Sequence, residues 1–327
     1  MARRFNGGVR GKLPTVSTSS ASGMWDLLSA HAERGASNWP SVAPPALYAF
    51  TSHTFTNASK QGRYGPILTE MQSAYSSTSW ASNSLYFTLG AYQGYQKWKA
   101  PTTGNYQITA CGASAVTYGG RGRIIRSTIS LTQGEWIIIC VGQVPYRATS
   151  GGGAGGSFVV RETGNVPLLV AGGGGGPYNS ATGSTMDANA TTSGNAGGGE
   201  NNAGTNGNGG ASPANGSPYA GSGGGFLSSG GNAANGASGN FGGGFNVGLI
   251  GGASNNGDTY AAGAFGGGGG THGNTGGGGG GGGYSGGGGQ GHNEPGGGGG
   301  GSYSITSIED LGYNTLTTAG YVTITRL

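Results

Sequence analysis

The sequence predicts an all-β protein, an antiparallel β-sandwich into which a bundle of glycine helices is inserted. Three observations predict it. Short β-branched and aromatic segments recur at intervals of about 8 to 12 residues through the first half of the chain. Residues 171–301 then contain 56 glycines in 131 positions and no lysine or arginine. After them an apolar, strand-like frame resumes over 303–327.

A segment of glycine with serine, asparagine and threonine is ordinarily a flexible linker, because it buries little apolar surface. Here its length exceeds any joining role, and the resumption of the frame makes it an insertion. Collagen is excluded, since glycine does not fall on every third position and proline is limited to Pro177, Pro213, Pro218 and Pro295. What remains is the extended left-handed threefold helix of glycine itself, polyglycine II. It rises about 3.1 Å per residue and makes no internal hydrogen bonds, so each N–H and C=O needs an outside partner. Without side chains, neighbouring rods approach closely enough to be those partners. The entropy of ordering glycine is high, so the bundle forms only where a rigid frame holds the rod ends.

Three parts follow: an N-terminal arm over 1–45, a sandwich frame over 46–170 plus 302–327, and the glycine insert over 171–301. All 15 basic residues and 7 of the 11 acids lie outside the insert, which leaves arm and frame together at +8 and the insert at −4. A glycine segment without arginine cannot neutralise phosphate, so nucleic acid is not an expected partner. No apolar run has the length of a membrane span and the first residues lack a signal-peptide core, so assembly in a host cytoplasm is the expectation.

In the arm, Arg3, Arg4, Arg10 and Lys12 are a basic cluster, and 24–34 has a short helical pattern with Trp25 and Leu28 on one face. That face has nothing evident to bury against in its own chain, so the arm is expected to dock on a partner protein. From Leu47 the period becomes two. Strands are predicted around Tyr48, Phe50, His53 and Phe55, and over 84–89, 93–100, 105–111, 124–131, 135–141, 157–160, 166–171 and 320–327. Thr132-Gln133-Gly134 is a tight-turn signature between two of them. Cys111 and Cys140 fall in separate strands; a disulfide is open, and two buried thiols are expected without an export signal.

The blocks HTFTNASKQGRYGPILTEMQSAY (53–75), QGYQKWKAPTTGNYQIT (93–109), IIICVGQ (137–143) and PLLVAGGGGG (167–176) are similar, in order, to the glycine-rich extracellular region of the anaplastic lymphoma and leukocyte tyrosine kinases. This resemblance implies a tumour-necrosis-factor-like sandwich carrying the glycine bundle. The additional cysteines, signal peptide, membrane span and kinase domain of that family are not found, so receptor activity does not carry over. The stretch GVRGKLPTVSTSSASGMWDLL (8–28) resembles instead the opening of structural proteins of tailed-phage virions, and the architecture resembles glycine-rich adhesins at tail-fibre tips.

No chemistry stands out. The histidines His31, His53, His272 and His292 lack metal-ligand spacing, glycine-motif matches follow from composition alone, and adjacent Glu309 and Asp310 would point to opposite faces of a strand. No enzyme activity, cofactor or metal is expected. The glycine-poor parts of the insert carry Asn, Ser and a few aromatics, the composition of adaptable recognition surfaces. They nominate Tyr178, Asn179, Tyr219, Phe226, Phe241, Phe245 and Tyr260 as receptor contacts, with packing on the sandwich as the other reading of each aromatic. The resulting expectation is a phage tail-fibre or tail-tip adhesin of the virion, docked through its arm, with host binding by the insert, weakly dependent on salt and distinct from sandwich-surface residues such as Arg63. Its partners would be other tail proteins and a host glycan or outer-membrane protein, with a homo-oligomer open. A head fibre or tail ornament without a specific receptor is the alternative.

Overall fold

The computed structural model describes residues 44–146, 151–178, 183–198, 202–211, 220–233, 240–254, 257, 259–273, 277–290 and 296–327. The chain divides into two compact units, Met1–Pro45 and Ala46–Leu327. Trp25, Leu28 and the basic cluster of the arm lie outside the described residues.

Eleven strands of the second unit form two antiparallel sheets. The five-stranded sheet has the order β1 (Ser52–Phe55), β11 (Tyr321–Arg326), β4 (Gly104–Cys111), β5 (Arg123–Leu131), β10 (Glu309–Tyr313). The six-stranded sheet runs β2 (Phe87–Leu89), β3 (Gln96–Lys99), β6 (Trp136–Cys140), β7 (Ser157–Arg161), β8 (Val166–Ala171), β9 (Tyr303–Ser304). Residues after the glycine region therefore return to both sheets: β9 pairs with β8, while β10 and β11 pair with β5 and β4.

The core between the sheets follows from alternation. On β4 the side chains of Tyr106, Ile108 and Ala110 are buried while those of Gln107 and Thr109 are half-exposed, and β5 and β11 alternate likewise. Phe55, Trp98, Ile125, Ile137, Ile139, Val159, Leu169 and Ile324 fill the space between. One helix, α1 (Leu68–Ala74), seats Met71 in the same core; its start is fixed by Glu70, whose carboxylate accepts the Ile67 N–H at 2.9 Å. The period-two reading did not anticipate this helix, nor the short strands β9 and β10.

The central strands β6 to β8 of the six-stranded sheet are buried on both faces, as their unbroken apolar runs require. Ile137 and Ile139 point into the sandwich, whereas Ile138, Cys140, Phe158, Val160 and Val170 point away from it. On that outer face they meet Phe226, Phe245, Leu249 and Phe265 from the glycine-rich region. Cys111 and Cys140 are free thiols, both fully buried. Burial pushes the Cys111 thiol up to about 12 and raises that of Cys140 well above its ordinary value.

The glycine runs pair with one another through their backbones. In the run around 278–283, the N–H of Gly279 donates to Gly151 and that of Gly282 to Ala154; Gly280 donates to Gly221 and Gly283 to Gly224; Gly281 donates to Gly298 and Tyr284 to Gly301. Each step of three residues returns to the same neighbour three residues further on. The carbonyls repeat this: Gly279 and Gly282 accept from Gly176 and Gly173, Gly278 and Gly281 from Gln290 and Gly287, and Gly280 from Gly269. The run is thus enclosed by six segments, three taking its donors and three its acceptors.

No glycine from 277 to 283 has a positive φ, so conformational freedom is not the reason for its presence. Space is. A Cβ on Gly279 would lie 2.1 Å from the Gly269 oxygen, and one on Gly282 would lie 1.9 Å from the Gly266 oxygen. One of the six surrounding segments, 151–156, precedes residue 171, so the glycine packing draws on residues that the sequence assigned to the frame.

Candidate functional site

The strongest candidate is an open groove of about 710 Å³ where the frame meets the insert, a volume within the range of ligand sites. Three tyrosines line it: Tyr64, Tyr146 and Tyr260, which are 51%, 45% and 61% exposed. Exposed phenols in one groove are unusual for a packing role, because each ring contributes most when buried.

The frame holds its share of this groove rigidly. Tyr146 donates its hydroxyl to the Gln61 carbonyl at 2.9 Å, and Gln61 donates through Nε2 to the Pro145 carbonyl at 3.1 Å, so the two loops brace each other. Gln93 donates to the Gly65 carbonyl at 2.7 Å. Arg63 donates through Nε to the Gly251 carbonyl at 2.8 Å and accepts the Gly251 N–H at 3.0 Å, a two-way clamp between frame and insert. Its guanidinium also lies 5.3 Å from the Tyr64 ring centre. Tyr260, from the insert, sets its ring edge-to-face with Tyr146 at 6.0 Å.

The charge of the groove comes from the frame. Lys60 and Arg63 line it, and no carboxylate is among its described lining residues. Lys60 is paired at 2.7 Å with Glu70, and the hydrogen bond from its ammonium holds the Glu70 carboxyl below its ordinary range. The expectation that Arg63 belongs to a separate sandwich surface is corrected here: it lines the same groove as Tyr260, because the insert folds back over the loops before α1.

The other nominated residues are distributed differently. Phe226 and Phe245 are 7% and 5% exposed and stack on each other at 4.9 Å against the outer face of the six-stranded sheet. They are packing residues in this structure, and a contact role for them is set aside on that ground. Phe241 is 39% exposed but does not line the groove, and Tyr178 is half-buried. Asn179 and Tyr219 lie outside the described residues. The sequence reading missed Tyr64 and Tyr146, since it looked for contacts only in the insert. A signal was present: both are aromatics beside glycine, proline or arginine in non-strand segments.

A second, smaller concavity of about 460 Å³ contains Arg121 and Asp187. Arg121 donates to the Asp187 carboxylate through Nη2 at 2.6 Å and Nε at 3.1 Å, and its backbone N–H donates to the same carboxylate at 2.7 Å. Those hydrogen bonds hold the guanidinium more firmly protonated. This pair ties insert to frame. Among the described residues no three His, Cys, Asp or Glu side chains gather as a metal site, and no helix is long and apolar enough to cross a membrane.

Against known proteins, no family model matches the chain. It is similar to the leukocyte tyrosine kinase receptor of Mus musculus, 31% identical over 126 residues, which cover 35% of this chain and 13% of that receptor. The chain therefore matches only a small part of the receptor's length, and the likeness extends over about a third of its own.

Proposed function

We propose that this is a non-enzymatic virion protein of a tailed phage, a tail-fibre or tail-tip adhesin that docks through its N-terminal arm and contacts the host surface at the seam of frame and insert. The observation carrying the attachment reading is the groove with three exposed tyrosines, bridged by Tyr260 from the insert and Tyr146 from the frame. The arm's virion-like opening over 8–28 supports the phage setting. With this reading goes a finer one of the fold, a tumour-necrosis-factor-like sandwich carrying polyglycine II rods, supported by the three-residue repeat of backbone hydrogen bonds around 278–283.

A rigid spacer suits the role. Rods without side chains exchange backbone hydrogen bonds in every direction, so they hold a surface loop at a fixed height without a large apolar core. The same rigidity would serve a head fibre or tail ornament. The test is location and neutralisation: antibodies raised against residues 44–327 should label the tail and block adsorption. Labelling of the capsid without loss of adsorption would favour the ornament. Particles assembled with a chain lacking residues 1–40 should be depleted of it.

A further inference from the structure

The groove at Tyr260 has a chemical character that narrows its ligand. Its apolar contacts are all phenol rings, and no aliphatic side chain is among its described lining residues. A peptide anchor needs aliphatic pockets to fill, and none is offered. Flat rings edged by hydroxyl and amide groups match instead the C–H faces and ring hydroxyls of a sugar. Gln61 and Gln93 bring amides beside the rings, and Arg63 brings positive charge; Lys60 adds to it while paired at 2.7 Å with Glu70, which is not among the described lining residues.

Resting on the attachment reading above, we infer that this groove binds an acidic saccharide, stacked on Tyr260 and Tyr146 and with its carboxylate or phosphate group directed to Lys60 and Arg63. The frame contributes the charge and the rings of Tyr64 and Tyr146, and the insert adds the ring of Tyr260. Binding should therefore weaken with salt, in contrast to the weakly salt-dependent recognition expected from an insert without lysine or arginine.

The test is binding of the full chain, by saturation-transfer NMR and calorimetry, to a panel of uronic-acid, sialic-acid and phosphorylated oligosaccharides, with neutral chito-oligosaccharides and single-stranded oligo-dT as comparisons. At least one acidic member should bind better than every neutral one and better than oligo-dT. Its affinity should fall several-fold between low and moderate salt, and Tyr260→Ala should lower it about tenfold or more with an unchanged melting curve. Lys60→Gln, at a surface ion pair, should reduce the salt dependence. Equal binding of neutral sugars, preference for oligo-dT, absence of binding to every acidic member, or indifference to Tyr260→Ala would each overturn the inference. Adsorption of particles carrying Tyr260→Ala separates the two levels: lost adsorption without acidic-saccharide binding removes only the ligand class, whereas unchanged adsorption removes attachment at this groove.

Discussion

Tyr95 on the approach to β3 stacks its ring on Phe245 of the insert at 5.0 Å and donates its hydroxyl to the Phe245 carbonyl. This one residue therefore joins the sheet to the glycine region by both an apolar and a polar contact. Tyr95→Ala should cost about 3 to 5 kcal/mol, as expected for removing a buried ring. Tyr95→Phe keeps the stacking and loses the hydroxyl, so it should cost about 1 kcal/mol. Urea titration of both variants checks the order; equal effects would mean that the ring contact contributes little.

Gly279 is predicted to tolerate no side chain. Its Cβ would stand 2.1 Å from the Gly269 oxygen and 2.7 Å from the Gly153 nitrogen, so even alanine must push two segments apart. Each backbone bond separated costs about 1 to 3 kcal/mol, and Gly279→Ala should melt far below wild type or expose the insert to protease. Gly104→Ala is the control, since nothing lies within 4 Å of its Cβ and its φ is not positive. That variant should melt like wild type.

Much of this arrangement was legible in the sequence. The strands β4, β5, β6 and β8 fall where alternation or unbroken apolar runs place them, because side-chain period is a local property of a strand. The double burial of β6 to β8 was written in WIIIC, SFVV and PLLVA, although nothing local says what covers the second face. Phe226 and Phe245 illustrate why: an aromatic in a glycine-rich loop reads alike whether it faces a partner or its own sheet. Tyr64 and Tyr146 were missed for the converse reason, since their surroundings are completed by residues more than a hundred positions away. The helix α1 was missed because its 7 residues present only Met71 fully to the core, too short a stripe for a helical period to emerge.

Stability should fall in mild acid because of His53. Its ring is met edge-on by Phe55, Tyr75 and Trp80 at 4.7 to 4.9 Å, and its Nε2 is buried with no hydrogen-bond partner. Burial lowers its pKa to about 4. The unfolded chain then binds a proton that the folded chain refuses, so stability is intact above the ordinary histidine value of about 6.5 and is lost as pH falls towards 4. The loss should be about 2 kcal/mol, the full displacement being discounted for solvent near the ring. Tyr75, also titratable and in contact, is pushed up to about 12 by burial and keeps its charge state in this window. His53→Phe should flatten the dependence between pH 6.5 and 4.5, and an unchanged slope would assign it to other groups.

Asp187→Ala should cost about 2 kcal/mol. The carboxylate serves the Arg121 guanidinium and also the Arg121 backbone N–H, and the latter would be left without that partner. Arg121→Ala removes the ion pair but spares the backbone bond, and its side chain is 45% exposed, so its effect should be smaller. Melting temperatures of the two variants test the asymmetry.

The last prediction divides the aromatics of the insert by their surroundings. Phe226 and Phe245 form one stack continuing to Tyr284 and Tyr303, with centroid separations of 4.9, 6.3 and 4.4 Å along the series Phe245, Phe226, Tyr284, Tyr303. Removing either phenylalanine breaks that stack over the sheet, and Phe226→Ala and Phe245→Ala should each cost about 3 to 5 kcal/mol. Phe241 is exposed and outside the groove, so Phe241→Ala should alter neither melting nor attachment. Tyr260→Ala should melt normally and lose attachment, because its ring is 61% exposed and sets edge-to-face with Tyr146 at the groove. The decisive comparison sets adsorption beside melting temperature for all four variants. Loss of adsorption by Phe241→Ala with normal melting would move the contact surface away from the groove, and loss of stability by Tyr260→Ala would make that ring a packing residue like Phe245.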